Sequence, residues 1–297
     1  MSDMVQYGGM AVIEGVMMRG PERIAIAVRK PDGSIELEEE AVSNLPLRYP
    51  FLKWPLLRGT YVLIDSMIIG IHNLNKSANM SLAEDEEELT TREMVITGLL
   101  AFLLAVLFFV VIPTAIVHYT SGFIGGIVAQ NIVEGIIRII FFLVYVWSIG
   151  RMQEIERVFM YHGAEHKSIL TYEAGEELKV ENTRKYTTLH PRCGTSFLII
   201  VLVISILVFA LLGEGNIFYR IWSRIVVLPV IAGVSYELLK LSGRYYHKYW
   251  VRILTAPGLF LQKLTTREPD DSQIEVALEA LKAVLAEKKD NITPSGA

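Results

Sequence analysis

From Met94 to His118 the chain carries no acidic or basic group except the terminal histidine. About 20 apolar residues suffice to cross a hydrocarbon core. A backbone in lipid must satisfy its own hydrogen bonds, which leaves a helix as the answer for a lone run of this kind. Pro113 is expected to bend that helix near its end. Three further apolar runs follow, Ile132 to Gly150, Ser196 to Leu212 and Trp222 to Leu241. The fold class expected is therefore a mainly α integral membrane protein, with about four transmembrane helices, a small N-terminal β unit and cytoplasmic helical parts.

Composition agrees where it bears on this. Of 297 residues, 52% are hydrophobic, and the net charge of -4 gives no sign of a nucleic-acid partner. The single cysteine, Cys193, cannot close an internal disulfide and suits a reducing compartment. The start, MSDMVQYGGMAVIEG, lacks the basic and apolar regions of a signal peptide, so insertion is expected to rely on internal spans.

The organisation expected has six parts. Residues 1–45 form the β unit: Ile24, Ile26 and Val28 alternate onto one face, Pro31-Asp32-Gly33 is turn chemistry, and Ile35 and Leu37 resume the pattern. Before that hairpin, Glu14 and Arg19 read as edge charges on one strand. Residues 46–93 read as an interfacial helix and an acidic linker with Glu84 to Glu88 in solvent. Residues 94–150 hold the first transmembrane pair, in which Glu134 and Arg138 are expected to pair near a span's end. Residues 151–195 form a cytoplasmic loop, 196–241 the second transmembrane pair, and 242–297 an interfacial segment and an amphipathic helix. That helix opens on a capping box of Ser272 and Glu275, with Ile274, Leu278, Leu281 and Leu285 at helical spacing and Lys288 and Lys289 in its last turn.

Charge asymmetry orients the spans. Among lysines and arginines the connections 119–130 and 213–221 hold only Arg220, whereas the middle loop has seven and the stretch after the last span adds Arg244, Lys248, Arg252, Lys263 and Arg267. Positive residues stay inside, so both termini and the middle loop are expected on the cytoplasmic face, with the lipid bilayer as first partner.

The chemistry concentrates in that loop. His162 and His166, one helical turn apart on an expected continuation of the second span, share a face and can reach one ion, with Glu165 between them. His190 and Cys193 follow within the same loop, so four soft or borderline ligand groups lie together. The expected cofactor is zinc or another divalent transition metal, with His162, His166, His190 and Cys193 as candidate ligands. For the third ligand His190 ranks first, Cys193 second and Glu237 third, with Glu14 a further carboxylate. Glu165 is the candidate general base. Lys167 and Arg192 read as lipid-headgroup contacts before oxyanion stabilisers. A second chemistry, a Cys193 nucleophile with His190 as base, remains open.

The stretches GGMAVIEGVMMRG, ERVFMYHGAEHKSI, TLHPRCGTSFL and LTTREPDD resemble the YqhQ-type family of bacterial membrane proteins. The family is a domain of unknown function described as a candidate metal-dependent enzyme. What the resemblance implies is a multi-span protein of the bacterial inner membrane sharing the HGAEH and HPRCG elements, and it brings no substrate. The activity expected is metal-dependent hydrolysis of a peptide or lipid-linked substrate at the cytoplasmic membrane surface. The alternative is a scaffold or regulator in which the cluster only staples the loop to the spans, and a transporter ranks last because the spans offer few polar groups.

Overall fold

The computed structural model describes residues 7–42, 48–82, 90–212, 215–246 and 248–286. The acidic run Glu84 to Glu88 and the pair Lys288 and Lys289 lie outside these residues.

The chain begins as a four-stranded antiparallel meander of β1 (Gly8–Val12), β2 (Gly15–Arg19), β3 (Arg23–Arg29) and β4 (Ile35–Ala41), in that spatial order. The stretch read as one strand folds back on itself at Ile13-Glu14 instead, pairing Val12 with Gly15. Glu14 takes φ +50° there, in the left-handed region. The alternation of Ile24, Ile26 and Val28 holds: with Val12 and Met17 they form one buried face. Val16, Met18, Ala25 and Ala27 form the other.

Each face has a helical cover. Helix α1 (Leu57–Met80) lies under the first face through Ile69 and Met80. Helix α11 (Asp271–Leu285) packs on the second through Ile274, Ala277, Leu278, Leu281 and Val284. Fully burying one such side chain is worth ~1.5–3 kcal/mol. The capping box of α11 sits two residues earlier than expected. Asp270 Oδ1 accepts from the Gln273 amide at 3.0 Å, and Gln273 Oε1 accepts from the Asp270 amide at 3.0 Å. Ser272 instead donates to Asp270, and Glu275 pairs with Arg29.

Two helices are long and apolar enough to cross a membrane, Val95–Tyr119 and Ile127–Ile149. The first comprises α2 (Thr91–Val106), a π-helical turn at Leu107–Val111 and α3 (Ile112–Tyr119), so its irregularity precedes Pro113. The second is α4 (Ile127–Ile149). The fourth run breaks at Val227 into α8 (Ile217–Val226) and α9 (Leu228–Arg244), bent by 43°, which makes a third span if the pair counts as one. The remaining run, α7 (Gly194–Ala210), has 17 residues and is short for a crossing. Leu99, Leu100, Phe102, Leu103 and Leu104 are more than half exposed along α2, which is consistent with a membrane protein.

Glu134 and Arg138 pair at 2.5 Å as expected, but well inside α4 rather than at its end. Both are buried, and Glu134 also receives Arg224 Nε at 2.8 Å and the Thr114 hydroxyl at 2.9 Å. Arg224 Nη2 reaches Asn131 Oδ1 at 2.8 Å. The Phe209 ring lies 4.9 Å from the Arg138 guanidinium and 5.2 Å from that of Arg224.

The middle loop is helical but does not continue α4. The chain breaks at Gly150 to Met152 and restarts as α5 (Gln153–Glu173), followed by the single turn α6 (Val180–Thr183). The interfacial segment holds another helix, α10 (Tyr249–Thr265), which packs on α7.

Candidate metal centre

One face of α5 presents His162, Glu165, His166 and Ile169, and Tyr161, Ala164 and Ile169 anchor the helix in the same core as α11. The imidazoles of His162 and His166 stand 4.4 Å apart between centroids, tilted by 59°. Gly163 between them lets α5 touch the segment after α10: a Cβ there would lie 2.2 Å from the Arg267 carbonyl oxygen.

Both imidazoles are oriented by backbone. His162 Nδ1–H donates to the Thr265 carbonyl at 2.8 Å, and His166 Nδ1–H donates to the Thr188 carbonyl at 2.6 Å. A carbonyl only accepts, so each Nδ1 carries the proton and each neutral Nε2 presents its lone pair. The two Nε2 atoms converge with Cys193 Sγ: His162 Nε2 is 3.2 Å from the sulfur, and the three ligand atoms lie within 4.8 Å of one another. Ligand atoms about 2.0–2.3 Å from a common zinc sit ~3.5 Å apart. A ligating histidine usually donates its other N–H to a carbonyl or carboxylate. His166 Nε2 is buried with no hydrogen-bond partner among the described residues. These residues fit a divalent transition metal.

Cys193 is the N-cap residue of α7, and its sulfur accepts the Thr195 amide at 3.4 Å. A glutamine places this turn. Gln262 of α10 accepts the His190 amide and donates to the His190 carbonyl, both at 2.8 Å, and donates to Ser196 Oγ at 3.0 Å.

The other candidates fall into distinct places. The third member of the cluster is Cys193, ranked second from the sequence. His190 stands beside it, its ring 5.5 Å from that of His166 and its buried Nε2 without a hydrogen-bond partner among the described residues, outside the set of converging atoms. Glu237 is held by Arg58, whose Nε donates at 2.5 Å, and Glu14 by Arg157, whose Nε donates at 2.6 Å, so neither carboxylate joins the cluster. Lys167 is buried and bonded to Glu268 and the Arg184 carbonyl, and Arg192 is bonded to Glu173. Both cations have partners within the protein. Thr188, Thr265, Gln262 and Gly163 carry no signal in sequence: two act through backbone oxygens, one through a side chain found anywhere on surfaces, and one through having none.

Glu165 Oε2 lies 3.5 Å from His166 Nε2. Its side chain is buried, and burial raises its pKa above the ordinary carboxylate value, while His162 and His190 pull the other way. Burial also lowers the pKa of His166 and of His190, which favours the neutral form a metal needs. Glu165, His162, His190 and Cys193 line a cleft of about 360 Å³ together with Gly8 to Ala11 of β1. A larger groove of about 670 Å³ lies between α4, α7 and α10 and is almost wholly aliphatic.

A His/His/Cys cluster, half-buried at His162 and buried at His166 and Cys193, with a carboxylate beside it, is the arrangement this fold builds. The chain belongs to the family of proteins of unknown function DUF1385, whose model matches residues 54–287. It is 33% identical over 292 residues to the uncharacterized protein YqhQ of Bacillus subtilis (strain 168), covering 94% of this chain and 92% of that one. No solved structure matches.

Proposed function

We propose that this protein is a zinc-dependent, or other divalent-metal-dependent, hydrolase at the cytoplasmic face of a bacterial inner membrane, with both termini inside and a peptide or lipid-linked substrate. One observation carries the reading. Two backbone carbonyls fix the Nδ1 protons of His162 and His166, so both Nε2 atoms point at Cys193 Sγ with the Glu165 carboxylate alongside. His162, His166 and Cys193 would hold the ion, which would supply Lewis acidity towards a nearby water. Glu165 takes the proton from the attacking water and returns it to the leaving group. Burial moves its pKa up towards the range in which a carboxylate serves as general base. A set of three protein ligands is the number a catalytic zinc site would use.

Metal analysis of the purified protein tests the centre. Wild type is expected to hold one ion per chain, and His162→Ala, His166→Ala and Cys193→Ser to lose most of it. Equal metal in all four would end the reading. Glu165→Gln is expected to keep the ion and lose roughly 10²–10⁴-fold in turnover. A second reading, a closed structural staple, is favoured by the partnerless Nε2 of His190. X-ray absorption separates them: three protein ligands with a light-atom fourth supports the hydrolase, and three imidazoles with one sulfur supports the staple.

A further inference from the structure

β1 is an edge strand, and its register decides what it offers to the cleft. The Arg29 amide donates to the Glu14 carbonyl at 2.8 Å, just beyond the Gly15–Val28 pair. In an antiparallel ladder, hydrogen-bonded and non-bonded pairs alternate. Val16 and Met18 therefore bond across to β3, while Gly15, Met17 and Arg19 bond to Val12, Met10 and Gly8. Gly9 and Ala11 are left with their N–H and C=O groups directed off the sheet. The next outward amide, Ile13, donates to Ser77 Oγ of α1 at 3.1 Å, which ends the free edge.

The Gly9 amide is directed at the Glu165 carboxylate. That leaves the Gly9 carbonyl and both Ala11 groups, with no hydrogen bond to them from the described residues. The first two residues of the strand have no side chain of their own, and the second passes close to Glu165. A Cβ at Gly8 would meet nothing within 4 Å, and one at Gly9 would lie 2.5 Å from the Met17 carbonyl and 3.0 Å from Glu165 Cγ. The same cleft is lined by Val158, Phe159, His162 and Cys193. Backbone of this edge and the side chains of His162, Glu165 and Cys193 thus line one cleft.

We infer that the substrate is an extended polypeptide segment, bound as a fifth strand on β1 through the Gly9 carbonyl and both backbone groups of Ala11. This rests on the hydrolase reading and chooses between its two substrate classes. Only a polypeptide carries N–H and C=O groups at the strand repeat, whereas a lipid-linked group has nothing to pair with Ala11 on both sides. In the step implied, the oxygen of water bonds to the peptide carbonyl carbon and the C–N bond breaks. Glu165 carries one water proton to the leaving nitrogen and the second follows from the new carboxyl group, giving a carboxylate and an ammonium.

Ala11→Pro separates this from the metal reading. It deletes an outward N–H that the β1–β2 ladder does not use, and proline is tolerated on edge strands. The probe is a degenerate library of quenched fluorescent decapeptides given to the zinc-loaded, detergent-solubilised full chain. Wild type is expected to cleave library members. Ala11→Pro is expected to lose about tenfold or more in kcat/KM, with metal content and melting temperature unchanged. A metal-replete wild type that leaves every peptide intact overturns the inference and spares the metal centre. So does an Ala11→Pro chain cleaving at the wild-type rate. A second measurement needs neither catalysis nor a folded proline variant: hydrogen exchange of Glu165→Gln with the library in excess. Slowed exchange confined to the Ala11 amide and its neighbours in β1 is expected, and unchanged exchange there overturns the inference even if no metal is found.

Discussion

At Gly163, two backbones meet because one residue lacks a side chain. A methyl group there cannot coexist with the Arg267 carbonyl 2.2 Å away, so α5 or the segment after α10 must move. Thr265, two residues before, orients His162. Gly163→Ala is therefore expected to cost ~1–3 kcal/mol and to lower metal content as well, read by thermal melting and metal analysis. A variant that melts and loads like wild type would show that the two backbones are not held so close. The histidine pair was legible from helical spacing alone, since residues four apart must share a face. Its orienters were not, because Thr188 and Thr265 act through carbonyl oxygens that every residue possesses. Nor did spacing rank His190 against Cys193: both stand in one turn, and their order at the centre depends on how Gln262, 72 residues on, grips that turn.

Among the elements, α11 was read as amphipathic and found buried against the sheet. Its periodicity gave the helix and its apolar stripe, yet the capping residue needed the structure. Asp270-Asp271-Ser272-Gln273-Ile274-Glu275 offers overlapping capping patterns, and the one chosen sets Gln273, itself buried, at the third position. Asp270→Ala is expected to cost about 1 kcal/mol. Leu281→Ala, removing a fully buried side chain from the core shared with α5, is expected to cost ~2–5 kcal/mol. Chemical unfolding of both variants checks the order, and a Ser272→Ala loss exceeding that of Asp270→Ala would restore the other frame. The break at Val227 escaped the sequence reading for a similar reason. Hydropathy runs on through it, while Arg220 and Arg224 on α8 turn inward only in three dimensions.

For the molecule as a whole, length and apolarity were enough to find the two helices able to cross a membrane, because a bilayer would impose both. The network between α3, α4 and α8 was half visible. Glu134 and Arg138 are neighbours along one helix, but Arg224 arrives from 90 residues away. With its carboxylate shared by two buried guanidiniums, Glu134→Gln strands both cations. It is expected to destabilise the helical part by ~3–5 kcal/mol, measured as a fall in unfolding midpoint in detergent. An unchanged midpoint would mean that the packing around Phe209 alone holds these helices.

The sulfur of Cys193 answers to two structures at once, as first acceptor for the helix that begins at Gly194 and as the softest donor beside the two imidazoles. Alkylation or oxidation of that one atom would unfasten the start of an apolar helix and disarm the cleft in a single event. A thiol reagent acting on this protein therefore has no purely local effect.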